Sequence, residues 1–219
     1  MDGVLTEVSE SYREAIVQTV AHFTGRTITR DLIQQYKNRG GWNNDWALSQ
    51  QIAADFGVEI DYQDVIAQFN RLFLGTHADG EGEGLIARET WFPESGLLGR
   101  LHARGGIAIF TGRSRKEADI TLRRFAPELA FDPIICSDDV VRGKPAPDGL
   151  HEIHKRHPQR KLIFVGDTVD DARSASAAEV PFIGIAARNH SRRDDLVGLF
   201  EAERAIAILE NINEIERVL

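Results

Sequence analysis

Lys161-Leu-Ile-Phe-Val-Gly-Asp-Thr-Val-Asp-Asp171 sets the architecture. An apolar, β-rich run over Lys161–Val165 stops abruptly at Gly166-Asp167-Thr168, and helical spacing takes over from Val169 to Ala178. The same grammar repeats around it. Gly106–Phe110 precedes a helix over Ser114–Phe125, and Pro133–Cys136 precedes one over Ala146–Arg156; Pro181–Ala186 and Ala205–Leu209 supply further strands. Short strands alternating with helices of this length form right-handed βαβ units around a parallel sheet. The expected class is therefore α/β, with a Rossmann-like, mainly parallel core.

Upstream the rhythm differs, and the sequence predicts helices without strands. Ser9–Thr24 places Ile16, Val17, Val20, Ala21 and Phe23 at helical spacing before Gly25. Thr29 caps a second helix through Tyr36, ending before Gly40-Gly41, and Asn44 caps a third that stops near Gly57. Asp61–Leu74 makes a fourth, and the glycine-rich loop Thr76–Gly84 reads as a boundary or hinge. The expected division is residues 1–9 with 92–219 as the α/β core, and 10–91 as an inserted all-helical cap.

Composition narrows the function classes. The 219 residues carry 26 Lys and Arg against 34 Asp and Glu, a net charge of −8, which gives no support to nucleic-acid binding. The longest apolar runs are too short to span a bilayer, and Met1-Asp2-Gly3-Val4-Leu5 lacks the basic start of a secretion signal. Cys136 is the single cysteine, so no internal disulfide can form. A soluble cytoplasmic protein is expected, monomeric or homodimeric, without membrane partners.

In open parallel sheets, ligands bind beyond the carboxyl ends of the strands. The exits here are Thr111-Gly112-Arg113, Ser137-Asp138-Asp139 with Gly143-Lys144-Pro145 shortly after, and Gly166-Asp167-Thr168-Val169-Asp170-Asp171. A hydroxyl, an ammonium and a carboxylate cluster suit phosphoryl chemistry. Carboxylates hold Mg²⁺, hydroxyls and helix-start amides hold phosphate oxygens, and a lysine neutralises charge.

Together with Met1-Asp2-Gly3-Val4-Leu5-Thr6, these segments resemble the ordered motifs of the haloacid dehalogenase superfamily, and the helical insert resembles its phosphoglycolate-phosphatase-like subfamily. The resemblance implies a Mg²⁺-dependent phosphatase acting on a small phosphorylated metabolite through a phospho-aspartyl intermediate. It assigns Asp2 as acid and base, with its main-chain carbonyl also on the metal. It assigns Thr111 to phosphate binding, with Gly112 and Arg113 beside it, and Lys144 to steadying the transferred phosphoryl. Asp167 and Asp171 are the acidic metal motif, Asp167 the direct ligand. In the helical insert, Lys37, Arg39 and Asn43 are candidate substrate contacts, since caps of this family select the substrate. Lys37–Trp46 is equally a glycine break followed by a capped helix, and Arg113 equally a solvated loop residue.

The resemblance has one departure. The family motif is Asp-x-Asp-Gly, so the attacking aspartate is expected immediately before Met1, at the end of an apolar strand that this sequence does not include. Without that central strand the sheet is expected to fall into two halves. Two further readings follow: a phosphosugar mutase of the same superfamily, which returns the phosphoryl to substrate, and a shortened, inactive binding or regulatory protein. Outside the motifs, His151-x-x-His154-x-x-His157 reads as the polar side of a surface helix, and Cys136 as a buried small hydrophobe.

Overall fold

A computed structural model describes residues 1–76 and 84–219. The chain divides into two compact units, Met1–Thr6 with Trp91–Leu219, and Glu7–Thr90. The architecture is the expected α/β core with a helical insertion.

The insertion consists of α1 (Tyr12–Thr24), α2 (Arg30–Arg39), α3 (Asp45–Asp55) and α4 (Tyr62–Phe73). Its helix starts are those the capping residues mark. The Thr29 hydroxyl accepts from the Leu32 amide, Asn44 from those of Trp46 and Ala47, and Asp61 from that of Gln63. Tyr12, Phe69 and Phe73 pack their rings together, Tyr12 to Phe73 at 4.1 Å between centroids. Most of the Thr76–Gly84 loop, read as a hinge, lies outside the described residues.

The helices-without-strands expectation needs one correction. Two short strands, β1 (Thr6–Glu7) and β2 (Thr90–Trp91), form a two-stranded sheet. Two residues each are too few to register as a β-rich run in sequence.

In the α/β unit, α5 (Leu97–Gly105) leads into β3 (Ile109–Phe110) and α6 (Arg115–Phe125), followed by β4 (Ile134–Ile135) and α7 (Asp148–Arg156). Then come β5 (Phe164–Gly166), α8 (Val169–Ala177), β6 (Phe182–Ile185), α9 (Arg193–Ala202) and β7 (Ala207–Leu209). All the core ladders are parallel, in two sections. One pairs β3 with β4, Phe110 opposite Ile135; the other runs β5-β6-β7, with Val165 opposite Ile183 and Gly184 opposite Ile208. Where β3 and β5 face each other, the Phe110 and Phe164 rings lie 6.0 Å apart. Phe110, Ile135, Leu150, Phe182 and Phe200 fill one side of the core, while Val4, Leu5, Leu97, Ile183 and Ile215 fill another. Each fully buried side chain of this size contributes about 1.5–3 kcal/mol, and together they fix where the strand exits point. Among the described residues, no helix is long and apolar enough to cross a membrane.

Candidate active site

The strand exits of the α/β unit gather the charged residues that the sequence singled out. Gly166 ends β5 and Thr168 starts α8 with a reciprocal cap: its hydroxyl accepts from the Asp171 amide, and Asp171 Oδ2 accepts from the Thr168 amide and hydroxyl at 3.1 and 2.7 Å. The Asp167 amide donates to the same oxygen at 3.2 Å. Glycine at 166 makes this possible, because a Cβ there would stand 2.4 Å from Asp171 Cβ. The other oxygen, Oδ1, accepts from Lys144 Nζ at 2.6 Å. Both side chains are under a tenth exposed. The ammonium also sits 5.3 Å from the Phe110 ring centroid and 5.9 Å from that of Phe164, so it bridges the two sheet sections.

Burial alone would drive Lys144 neutral. The charge of Asp171 and its hydrogen bond, with Asp167 and Asp2 nearby, outweigh burial and raise its pKa above the ordinary lysine value. Burial likewise works against the Asp171 carboxylate, but Lys144 and the hydrogen bonds from Lys144 and Thr168 win and hold it below the usual range. At neutral pH this is a charged pair.

Met1-Asp2-Gly3 folds tightly against these groups. The Met1 carbonyl accepts from the amides of Leu5 and Thr6 at 2.8 and 3.1 Å, and the Gly3 amide donates to Thr6 O at 2.9 Å. Gly3 has φ +63°, and a Cβ there would fall 1.9 Å from Asp167 Oδ2, so no larger residue fits. The Met1 nitrogen is buried and feels the charges of Asp2, Lys144, Asp171 and Asp167. Asp2 Oδ1 accepts from Arg113 Nε at 2.7 Å, and Arg113 Nη2 lies 2.5 Å from the same oxygen. Partial burial opposes the ionised form of Asp2, and the Arg113 guanidinium overcomes it, leaving the pKa below the ordinary aspartate value.

Arg113 differs from both sequence readings. Its side chain has no exposure, so it neither solvates the loop nor reaches out to a substrate. Besides Asp2 it donates to Thr121 Oγ1 on α6 at 2.6 Å, and its carbonyl accepts from the Ser137 amide and hydroxyl. Nothing local in the sequence announces this, because the ion pair joins residues 111 positions apart. Thr111 is buried, its hydroxyl accepting from the Arg113 amide at 3.2 Å, while Gly112 between them is exposed.

Of the residues expected at magnesium, Asp167 as the direct ligand, Asp171 beside it and Asp2 through its main-chain carbonyl, two have side chains engaged by protein groups. Asp171 has both oxygens engaged by Lys144, Thr168 and main-chain amides, and Asp2 turns Oδ1 to Arg113. Among the described residues, no three Asp, Glu, His or Cys side chains gather in the manner of a metal site. Asp167 lies against the Gly3 main chain, its Oδ2 1.9 Å from where a Cβ on Gly3 would stand.

In the helical unit, Lys37 is committed locally: Nζ lies 2.7 Å from Asp45 Oδ1 and donates to the Trp42 carbonyl at 3.4 Å. Arg39 is exposed with its guanidinium 5.1 Å from the Tyr36 ring centroid, and Asn43 is half-buried. Cys136 is fully buried, and burial pushes its thiol up to about 11. His151 and His154 are exposed on α7, as a polar helix side requires.

Comparison with known proteins identifies the family. The family model of haloacid dehalogenase-like hydrolases matches residues 1–179. An imidazoleglycerol-phosphate dehydratase of Phytophthora nicotianae is 34% identical over 200 residues, covering 84% of this chain and 42% of that protein. A phosphoglycolate phosphatase of Salmonella typhimurium is 27% identical over 131 residues, 58% of this chain and 50% of that one. The chain thus spans about half the length, or less, of these curated relatives. Among solved structures, a HAD-superfamily hydrolase of subfamily IA from Geobacter sulfurreducens superposes with TM-score 0.62 at 24% identity, over 100% of this chain and 92% of that one, which shows the fold. The chain belongs to the haloacid dehalogenase-like hydrolases.

Proposed function

We propose that this haloacid dehalogenase-like hydrolase is a phosphatase that releases phosphate from a small phosphorylated metabolite through a phospho-aspartyl intermediate. The observation that carries the reading is the setting of the Met1 nitrogen. It is buried among Asp2, Lys144, Asp167 and Asp171, so a residue attached to it would begin inside the charged cluster. An aspartate there, where the family motif has its nucleophile, would attack phosphorus with Lys144 beside it to balance the charge of the transferred phosphoryl. Thr111 and the amide of Gly112 would take up phosphate oxygens, and Asp2 would protonate the leaving oxygen and later deprotonate water. An ion such as Mg²⁺ held at Asp167 would draw charge from the phosphate oxygens. The phosphoglycolate phosphatases among the relatives favour a small phosphorylated acid as substrate.

The test is a chain carrying an apolar strand ending in aspartate before Met1, assayed with Mg²⁺ against 2-phosphoglycolate, glycerol phosphate and hexose phosphates. Phosphate release that disappears when the added aspartate is asparagine, and falls at least a hundredfold in Asp167→Asn, supports the reading. Transfer of label between hexose phosphates without release would assign a mutase instead. Failure of every substrate, in a folded chain that still binds inorganic phosphate, would assign a binding role.

A further inference from the structure

The end of α6 and the segment that returns to β4 enclose a cavity of about 440 Å³. Leu122, Leu129, Phe131 and Ile134 give it an apolar floor, and Asp119 and Arg123 also line it. It sits at the end of α6 and the entry to β4, whereas the candidate active site lies where α6 starts and β4 exits, so the two are separate. Its walls are held by the protein itself. The Ala126 amide donates to Leu122 O at 2.9 Å, the Leu129 amide to Ala126 O at 3.1 Å, and the Asp132 amide to Ile107 O at 2.9 Å. Leu129 and Phe131 pack against the core cluster that contains Leu97 and Ile183. A preformed hollow of this size falls within the range of about 300–1,000 Å³ typical of small-molecule sites.

Two opposite charges border this floor, and neither is spent within the protein. Among the described residues, Asp119 and Arg123 make no hydrogen bond or ion pair, with each other or with a neighbour. Their i, i+4 spacing on one helix face ordinarily brings such a pair together. Arg115, one turn before Asp119, is engaged elsewhere, donating to the Ile134 carbonyl at 2.7 Å and to the Asp139 carboxylate. Arg124 lies over the Phe125 ring, 4.6 Å from its centroid.

We infer that this cavity is a binding site for a free α-amino acid with a branched or aromatic side chain. The ligand's ammonium donates to the Asp119 carboxylate, its carboxylate accepts from the Arg123 guanidinium, and its side chain leaves water for the floor of Leu122, Leu129, Phe131 and Ile134. A fatty acid would use Arg123 and the floor but leave Asp119 unpaired, and a simple amine would leave Arg123 unpaired. Only a ligand with both charges and an apolar group engages all three features. Because the three attachments radiate from one carbon, the site distinguishes the two enantiomers.

Calorimetry on the full chain with L-leucine and L-phenylalanine tests this. At least one should bind saturably with Kd at or below about 1 mM. For that amino acid the enantiomer should bind at least about tenfold more weakly, as should the analogue without its ammonium and the one without its carboxylate (3-phenylpropionate and phenethylamine for phenylalanine). Asp119→Asn and Arg123→Gln should each weaken binding by a similar factor. Arg123 is exposed and Asp119 half-buried, so the unliganded melting temperature should change little. No binding of either amino acid at about 10 mM, equal binding of an analogue that lacks one charge, or binding unchanged in both variants would overturn the inference. The analogue series on the unsubstituted chain decides the matter even if a variant fails to fold. Binding is read without Mg²⁺ or a phosphate ester, so its outcome is independent of the phosphatase reading.

Discussion

Replacing Asp171 by asparagine keeps the shape of the side chain and removes its charge. The asparagine oxygen can still accept from Thr168, so the start of α8 survives, but its NH₂ then faces the Lys144 ammonium, donor against donor. Both partners are under a tenth exposed and 2.6 Å apart, so the lysine is left charged and unpaired in the interior. Breaking one side of such a pair costs about 3–5 kcal/mol. For a protein of this size that lowers the melting temperature by roughly 6–20 °C, at about 2–4 °C per kcal/mol. Lys144→Met should cost about as much, because it strands Asp171 instead. The double variant should cost at least about 1 kcal/mol less than the sum, since it removes both charges together. Urea unfolding of the four proteins at pH 7 measures the cycle. The sign against pH follows from the two shifts. The Asp171 contribution is complete above its unfolded value of 3.8 and is lost as pH falls through its depressed folded value. The Lys144 contribution is complete below 10.5 and is lost as pH rises through its elevated one. Asp171→Asn should therefore flatten the acid limb of the stability profile. A single variant within about 1 kcal/mol of the parent, or an additive cycle, refutes the description of a buried, coupled pair.

Three further outcomes follow from the geometry. Gly3→Ala forces a methyl to within 1.9 Å of Asp167 Oδ2 at φ +63°, so it should destabilise the α/β unit by more than about 1 kcal/mol in urea unfolding, and an unchanged midpoint would contradict the close approach. Cys136, raised to about 11 by burial, should resist iodoacetamide at pH 8 in the folded protein and react within minutes in 6 M guanidinium; ready labelling of the native state would place it elsewhere. Asn44→Ala removes the acceptor for the Trp46 and Ala47 amides, should cost about 1 kcal/mol, and should speed hydrogen exchange at the first turn of α3.

Much of this was legible because it is local. Thr29, Asn44, Asp61 and Ser114 cap the helices they precede, and the strand-then-acid pattern at Val165–Asp167 marks a strand exit. The helices α5 and α9 escaped the sequence reading for the opposite reason. Gly96 starts α5 in a left-handed conformation, Arg192 starts α9, and neither offers a side-chain cap; α5 also contains Gly99 and Gly105. Within the candidate site, the Thr168-x-x-Asp171 cap could have been read from its spacing. The pairing of Arg113 with Asp2 could not, since it depends on packing between segments far apart in the chain. Nor could the engagement of the Asp171 and Asp2 carboxylates be read, since it depends on Lys144, Arg113 and main-chain amides that packing brings to them.

The reciprocal fastening of Thr168 to Asp171 has a consequence for how this segment can vary. One carboxylate closes the first turn of α8 and grips the lysine, while the residue four places earlier lies against the Gly3 backbone. An α-helix advances about 100° per residue. A single insertion or deletion between positions 167 and 171 would swing Asp171 a quarter-turn or more away from Lys144, and no rotamer could recover both attachments. This stretch should accordingly admit changes of residue far more readily than changes of length, a rule that can guide both loop grafting and the alignment of distant sequences.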